Sequence, residues 1–287
     1  MSNTTPLKST TSGETALRWA NIALIATVWS SSLLFGLYIL AFFIVAAIDG
    51  DLTVWNSGSL PDLYEEGEPL ATAGIGLHFT MGGLILILGS IQLIDRFRNA
   101  YPKLHRFFGK IYVGASLLTA IGGLAFIAVS GTVGGTVMNI GFGLYGILMF
   151  VSAVETFRHA RAGRYDRHQL WSWRLYALAI GSWLYRMEYG FWFLTAGFTG
   201  VDNFTGWFDQ IMAFFFYVPN LIIVEMIWRA RQKERSNRYK IGTSVVLIGI
   251  TIMVFAGSYV FLTQIWAQPI LSVVGIDYTP PNILNID

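Results

Sequence analysis

Seven long apolar stretches, each close to or above the ~20 residues that a helix needs to cross hydrocarbon, dominate this chain. They fall at about 20–48, 73–95, 109–130, 136–157, 171–197, 209–228 and 241–266. In lipid, every backbone N–H and C=O must find a partner within its own segment, which favours helices. Transmembrane strands would need alternating stretches of about ten residues, and none are present. The expected fold is all-α, a polytopic transmembrane bundle of seven helices. Only 13% of the residues are charged, against about a quarter in soluble domains. Lipid rather than water must therefore cover much of the outer surface.

The charges are sorted by loop. Eighteen of the nineteen Lys and Arg residues fall in alternate connections. Lys8 and Arg18 precede the first stretch, and Arg96, Arg98, Lys103, Arg106 and Lys110 follow the second. Arg158, Arg161, Arg164, Arg167 and Arg174 follow the fourth; Arg229, Arg231, Lys233, Arg235, Arg238 and Lys240 follow the sixth. The opposite loops carry Asp49, Asp51, Asp62, Glu65, Glu66, Glu68, Asp202 and Asp209 instead. Basic loops stay in the cytoplasm. The expectation is a multi-pass protein of a bacterial cytoplasmic (inner) membrane, with a cytoplasmic N-terminus and an extracytoplasmic C-terminus.

Around the seven-helix domain (20–266), residues 1–19 read as a disordered cytoplasmic tail, polar and without a signal-peptide pattern, and 267–287 as an extracytoplasmic tail. The acidic loop 49–72 holds Pro61 and Pro69. Trp55, Trp207, Trp228 and Trp266 sit near stretch ends and read as interfacial anchors. No cysteine is present, which excludes disulfides, thiol catalysis and cysteine-held metal. A net charge of +2 gives no reason to expect nucleic acid.

Residues 83–113 superpose on 146–176 with a shift of 63, placing Gln92 over Glu155, Arg98 over Arg161 and His105 over His168. A weaker third copy continues these positions at Glu225, Arg231 and Arg238. The bundle then reads as one leading helix plus three repeated helical hairpins, a pattern common in membrane proteins. The many glycines of the second to fourth stretches read as close helix packing.

His105 and His168 each open a helix after a basic loop. A helix N-terminus favours neutral imidazole, which can ligate haem iron. The same place, rich in arginine, suits a quinone, a lipid phosphate or another anion. His159 lies in a basic loop and reads as solvated. Deeper, His78, Arg186 and Glu188 are ionisable groups inside apolar stretches, and such groups are functional candidates. Arg186 and Glu188 are two residues apart on different helix faces, so each needs its own partner. His78, Asn139, Tyr217 and Asn220 match in depth, and Pro219 could free backbone carbonyls there.

The string His78, Gly82, Gly89, Gln92, Arg98, Pro102, His105-Arg106, Gly109 and Tyr112, followed by His168-x-x-Trp171-x-x-Arg174 and Arg186, resembles the bacterial membrane-protein family called domain of unknown function 2306. The likeness covers roughly 73–229 and departs from the family pattern at Ser172, where methionine is usual. The resemblance implies a polytopic membrane protein, implies no particular activity, and marks His78, His105, His168, Arg174 and Arg186. Three function classes follow. The first is a haem- or quinone-linked membrane redox protein, with His105 and His168 as haem b ligands or quinone contacts. The second is a transporter or sensor for a small anionic or lipid ligand, with His78, Arg98, Arg174, Arg186 and Glu188 as contacts. The third is a non-catalytic accessory subunit of a membrane complex. Besides such a partner, the bilayer itself is the expected contact.

Overall fold

A computed structural model describes residues 11–57, 64, 66–67, 69–232 and 235–284, without the side chains of 69–71, 73–75, 77–79 and 130. Lys8, Pro61, Asp62, Glu65, Glu68, Lys233 and the His78 side chain therefore lie outside the described residues. All regular structure among them is helical. The order is α1 (Ser12–Ile39), α2 (Val45–Asp49), α3 (Pro69–Gln92), α4 (Asp95–Ala100), α5 (Pro102–Ser130), α6 (Gly135–Arg161) and α7 (Tyr165–Ala179), then α8 (Gly181–Ala196), α9 (Trp207–Phe215), α10 (Val218–Ala230), α11 (Asn237–Phe261) and α12 (Ala267–Ser272). Among the described residues, five helical runs are long and apolar enough to cross a membrane: Ser12–Asp49, Pro102–Val129, Gly135–Arg161, Trp207–Ala230 and Asn237–Ser272. The described apolar part of α3 is Thr80–Gln92.

The stretch read as one helix at 171–197 is instead two, α7 and α8, broken at Ile180. Gly181 gives Tyr145 room beside the break, since a Cβ there would lie 3.0 Å from the Tyr145 ring. Tyr145 in turn donates its hydroxyl proton to the Leu178 carbonyl, 2.5 Å away. A carbonyl at a helix break thus keeps a partner. A second break separates α9 from α10, next to Pro219, which has no N–H to give. There the Asn220 amide donates to the Phe216 carbonyl at 2.6 Å, so this carbonyl is not left open to a ligand.

Helix α1 begins at Ser12, inside the segment read as a tail. Its start is a capping box: Thr11 Oγ1 accepts from Glu14 N at 3.3 Å, and Glu14 accepts from Thr11 N at 3.2 Å. Helix α11 holds that start in place, through Asn237 Oδ1 accepting from Gly13 N (2.7 Å) and Lys240 Nζ pairing with Glu14 (3.0 Å). At the other end, α1 and α11 each pass through one π-helical turn, Leu40–Ile44 and Leu262–Trp266. Trp55 and Trp266 pack there, 5% and 1% exposed, so neither is the interfacial anchor expected. Trp55 donates its indole N–H to the Phe43 carbonyl at 3.0 Å, within the π turn. Likewise α12 continues the last long helix to Ser272, beyond the expected end at 266.

Helix α8 lies against both α1 and α11. Trp183 Nε1 donates to Ser31 Oγ (3.1 Å), which also meets Ser258 Oγ (2.6 Å). Two glycines let the backbones of α8 and α11 touch: a Cβ on Gly257 would fall 2.0 Å from the Met187 carbonyl oxygen. Small residues permit such approach where hydrophobicity drives no helix pairing.

Candidate functional site

Residue by residue, the basic loops build one end of the bundle. Pro102 opens α5 at its first turn, where a missing N–H costs nothing. His105, Arg106 and Lys110 follow within the first three turns. The left-handed Gly163 (φ 67°) turns the chain from α6 into α7, which places His168 on the first turn of α7. These two helix starts, the end of α3 and the end of α6 border an open-mouthed chamber of about 770 Å³. His105, His168, Gln92, Arg98, Arg106, Lys110 and Arg161 line it. The sequence-matched pairs Arg98/Arg161 and His105/His168 thus share one cavity, and the two imidazoles lie within electrostatic reach of each other.

Four cations face this chamber against two carboxylates, Asp95 and Asp166. Asp95 is engaged by Arg98 at 3.1 Å. Both helix starts add positive potential, since their first N–H groups lack intrahelical partners. His168 Nδ1 lies 3.0 Å from the Thr156 carbonyl oxygen. A carbonyl can only accept, so Nδ1 carries a proton and donates it. At the chamber wall Gln92 Nε2, His105 Nδ1 and the Tyr112 hydroxyl are buried without a hydrogen-bond partner. Gly89 makes room for the wall: a Cβ there would meet the rings of Tyr112 at 2.9 Å and Tyr176 at 3.1 Å.

Tyr176 is a partition. Its hydroxyl bonds Ser90 Oγ at 2.9 Å, linking α7 to α3. Behind it lies a second, apolar pocket of about 310 Å³ between α1, α3, α7, α10 and α11. Leu93, Asp95, Gln169, Trp173 and Tyr176 line both spaces. Both volumes fall in the range usual for small-molecule sites, roughly 300–1,000 Å³.

The other candidates lie elsewhere. Arg174 points to α10, pairing with Glu225 through Nε at 2.8 Å and through Nη2, and its guanidinium covers the Trp171 ring at 4.4 Å. Arg186 donates to the Ser182 carbonyl on its own helix (2.8 Å) and sits 5.1 Å from the Phe35 ring of α1. Glu188 is buried at 6% exposure within reach of Asn220 on α10, and its Oε2 has no partner. Arg186 and Glu188 therefore look to different neighbours, as their spacing requires. Asn139 is spent on the turn between α5 and α6, where Oδ1 accepts from Thr132 N at 2.6 Å. His78 lies in α3, and its side chain is outside the described residues.

His159 overturns its expectation. It is 2% exposed, with Nε2 3.2 Å from Glu155 on the preceding turn, and so is not solvated. Asp209, read only as loop acidity, is buried and accepts from Asp202 N (2.8 Å), Gly206 N (3.0 Å) and the Tyr189 hydroxyl. Such a fully satisfied carboxylate holds the start of α9 rather than a ligand. Tyr176 and the apolar pocket had no sequence signal, because both consist of residues that also read as ordinary core.

Among the described residues, no group of three or more His, Cys, Asp or Glu could hold a metal ion. The fold and site define an all-helical membrane protein with a cationic chamber at one end. A family model described as a predicted membrane protein, DUF2306, matches residues 75–228. That is more than half of the chain, and the chain belongs to this family. No curated protein and no solved structure matches it.

Proposed function

We propose that this protein binds a small anion, or the anionic head group of a membrane molecule, in the chamber between His105 and His168. One observation carries the reading: two helix starts and four cations open on one cavity lined, among the described residues, by two carboxylates. Arg98, Arg106, Lys110 and Arg161 supply charge, and the wall groups Gln92 and Tyr112 supply donors that lack partners. Oxygen-rich anions such as phosphates and carboxylates answer both needs.

The setting of this site is part of the reading. Seven crossings are counted with α3 and the α7–α8 pair as spans. The basic end is then cytoplasmic, the first helix enters from that side, and the last leaves on the other. A bacterial inner membrane is the compartment this implies. Three hairpins, α3–α5, α6–α8 and α9–α11, would place His105 and His168 at equivalent points, which agrees with their common cavity. The third copy has diverged: Arg231 lines the apolar pocket, near Asp95.

The direct test uses purified protein in neutral detergent, titrated with inorganic phosphate while thermal stability is followed. Stabilisation that disappears in Arg98→Gln/Arg161→Gln supports the reading; stabilisation equal in both proteins rejects it. A second reading, a bound haem or quinone, draws on the two histidines of the chamber, His168 above all. Its Nδ1–H is held by a carbonyl, the arrangement that orients ligating histidines, and its Nε2 is left free. A Soret band in the purified protein, lost in His105→Ala and His168→Ala, would establish the haem form. A colourless protein with no extractable quinone would exclude this reading.

A further inference from the structure

The apolar pocket behind Tyr176 extends the chamber into a two-part site. We propose that the ligand is an amphiphile, with its head in the His105–His168 chamber and one alkyl or isoprenoid chain in this pocket. The inference rests on the anion-binding reading of the chamber and names the class of molecule that would fill it.

Continuity is the first argument. Leu93, Asp95, Gln169, Trp173 and Tyr176 line both spaces, so the two adjoin across a shared wall. Shape is the second. Along α1 the pocket runs from Asn21 to Trp29, and along α10 from Arg231 to Asn220. At ~1.5 Å per residue these are about 12 and 16 Å, a slot leading from the basic end towards the bundle middle. Polarity is the third. Ile223, Val224, Ile227, Ile250 and Val254 line the slot, and the charged members Asp95 and Arg231 belong to segments at the basic end. An access route is the fourth. The slot includes Ile25 and Trp29, 53% and 40% exposed on the outer face of α1, where a chain enters from lipid without crossing water.

A free inorganic anion would use the chamber alone, and an amphiphile would use both spaces. The Ser90–Tyr176 hydrogen bond stands where they join, so passage of a chain requires the Tyr176 ring to move. Gly89 sets how closely that ring can lie against α3.

The experiment compares two probes, dioleoyl phosphatidate and inorganic phosphate, on full-length protein in neutral detergent. Phosphatidate retention is read by native mass spectrometry, and phosphate by thermal stabilisation. The pocket is narrowed by Ala177→Leu and, separately, by Val224→Phe. Both variants should retain phosphatidate about tenfold less well, as two fewer buried methylenes would give, while phosphate still stabilises them. Undiminished phosphatidate retention in both overturns the tail site and leaves the chamber reading intact. Phosphate and phosphatidate effects that both persist in Arg98→Gln/Arg161→Gln overturn the chamber reading itself. If neither narrowed variant folds, phosphatidate with brominated chains is added to unaltered protein and to Trp173→Phe. Quenching of tryptophan fluorescence that falls in Trp173→Phe supports the tail site; quenching of the same depth in both proteins overturns it.

Discussion

His168 donates its Nδ1 proton to the carbonyl of Thr156, 3.0 Å away on the helix before it. The bond ties the start of α7 to the end of α6 and leaves Nε2 for the chamber. Asparagine can imitate Nδ1, and glutamine can imitate Nε2. His168→Asn should therefore keep its thermal stability and lose affinity for the chamber's ligand. His168→Gln should lose about 1 kcal/mol of stability, the worth of one hydrogen bond, and retain more of the affinity. Thermal melts and binding titrations on the two variants separate these effects.

Charge in the chamber predicts a salt effect. Binding of inorganic phosphate should weaken as sodium chloride rises, because screening shortens the reach of the four cations. Arg106→Gln/Lys110→Gln should flatten that dependence. Titrations at about 10 mM and 150 mM salt, where the Debye length falls from roughly 30 to 8 Å, provide the check.

The contact of α8 with α11 leaves no room for a side chain at Gly257, whose Cβ would overlap the Met187 carbonyl. Gly257→Val should destabilise the protein by about 1–3 kcal/mol, the usual cost of overpacking. Gly249, on the same helix with open space around it, is the control, and Gly249→Ala should be neutral or slightly stabilising. Melting temperatures in one detergent compare the pair.

Arg174 and Glu225 join α7 to α10 with side chains 26% and 31% exposed. Such partial burial places their coupling near the upper end of surface pairs, about 1 kcal/mol. A double-mutant cycle with Arg174→Gln and Glu225→Gln should show that coupling in stability. Phosphate binding should be unchanged in both single variants, because Arg174 faces away from the chamber.

Long apolar runs and their alternating charge made the helical membrane class legible, since both follow from the cost of burying polar groups in lipid. The matched histidines were legible as a pair because each opens a helix after a basic loop, and they do share a cavity. Helix breaks were harder. Hydropathy runs smoothly through Ile180, and the carbonyl near the break is bonded by Tyr145 of another helix, distant in sequence. The start of α1 was hidden for the opposite reason: Thr11-Ser12-Gly13-Glu14 carries a capping signature, but its polar composition resembles a tail. His159 was misplaced because its burial depends on tertiary packing and on Glu155, while its sequence neighbours are solvated arginines. Arg174 could be marked by pattern alone, and its pairing with Glu225, 51 positions away, could not.

The most direct measurement is equilibrium dialysis of radiolabelled phosphate against purified protein and Arg98→Gln/Arg161→Gln. Saturable binding near one phosphate per chain, abolished in the double variant, is the predicted result. No saturable binding to the unaltered protein, or equal binding to both, would contradict an anion site between His105 and His168.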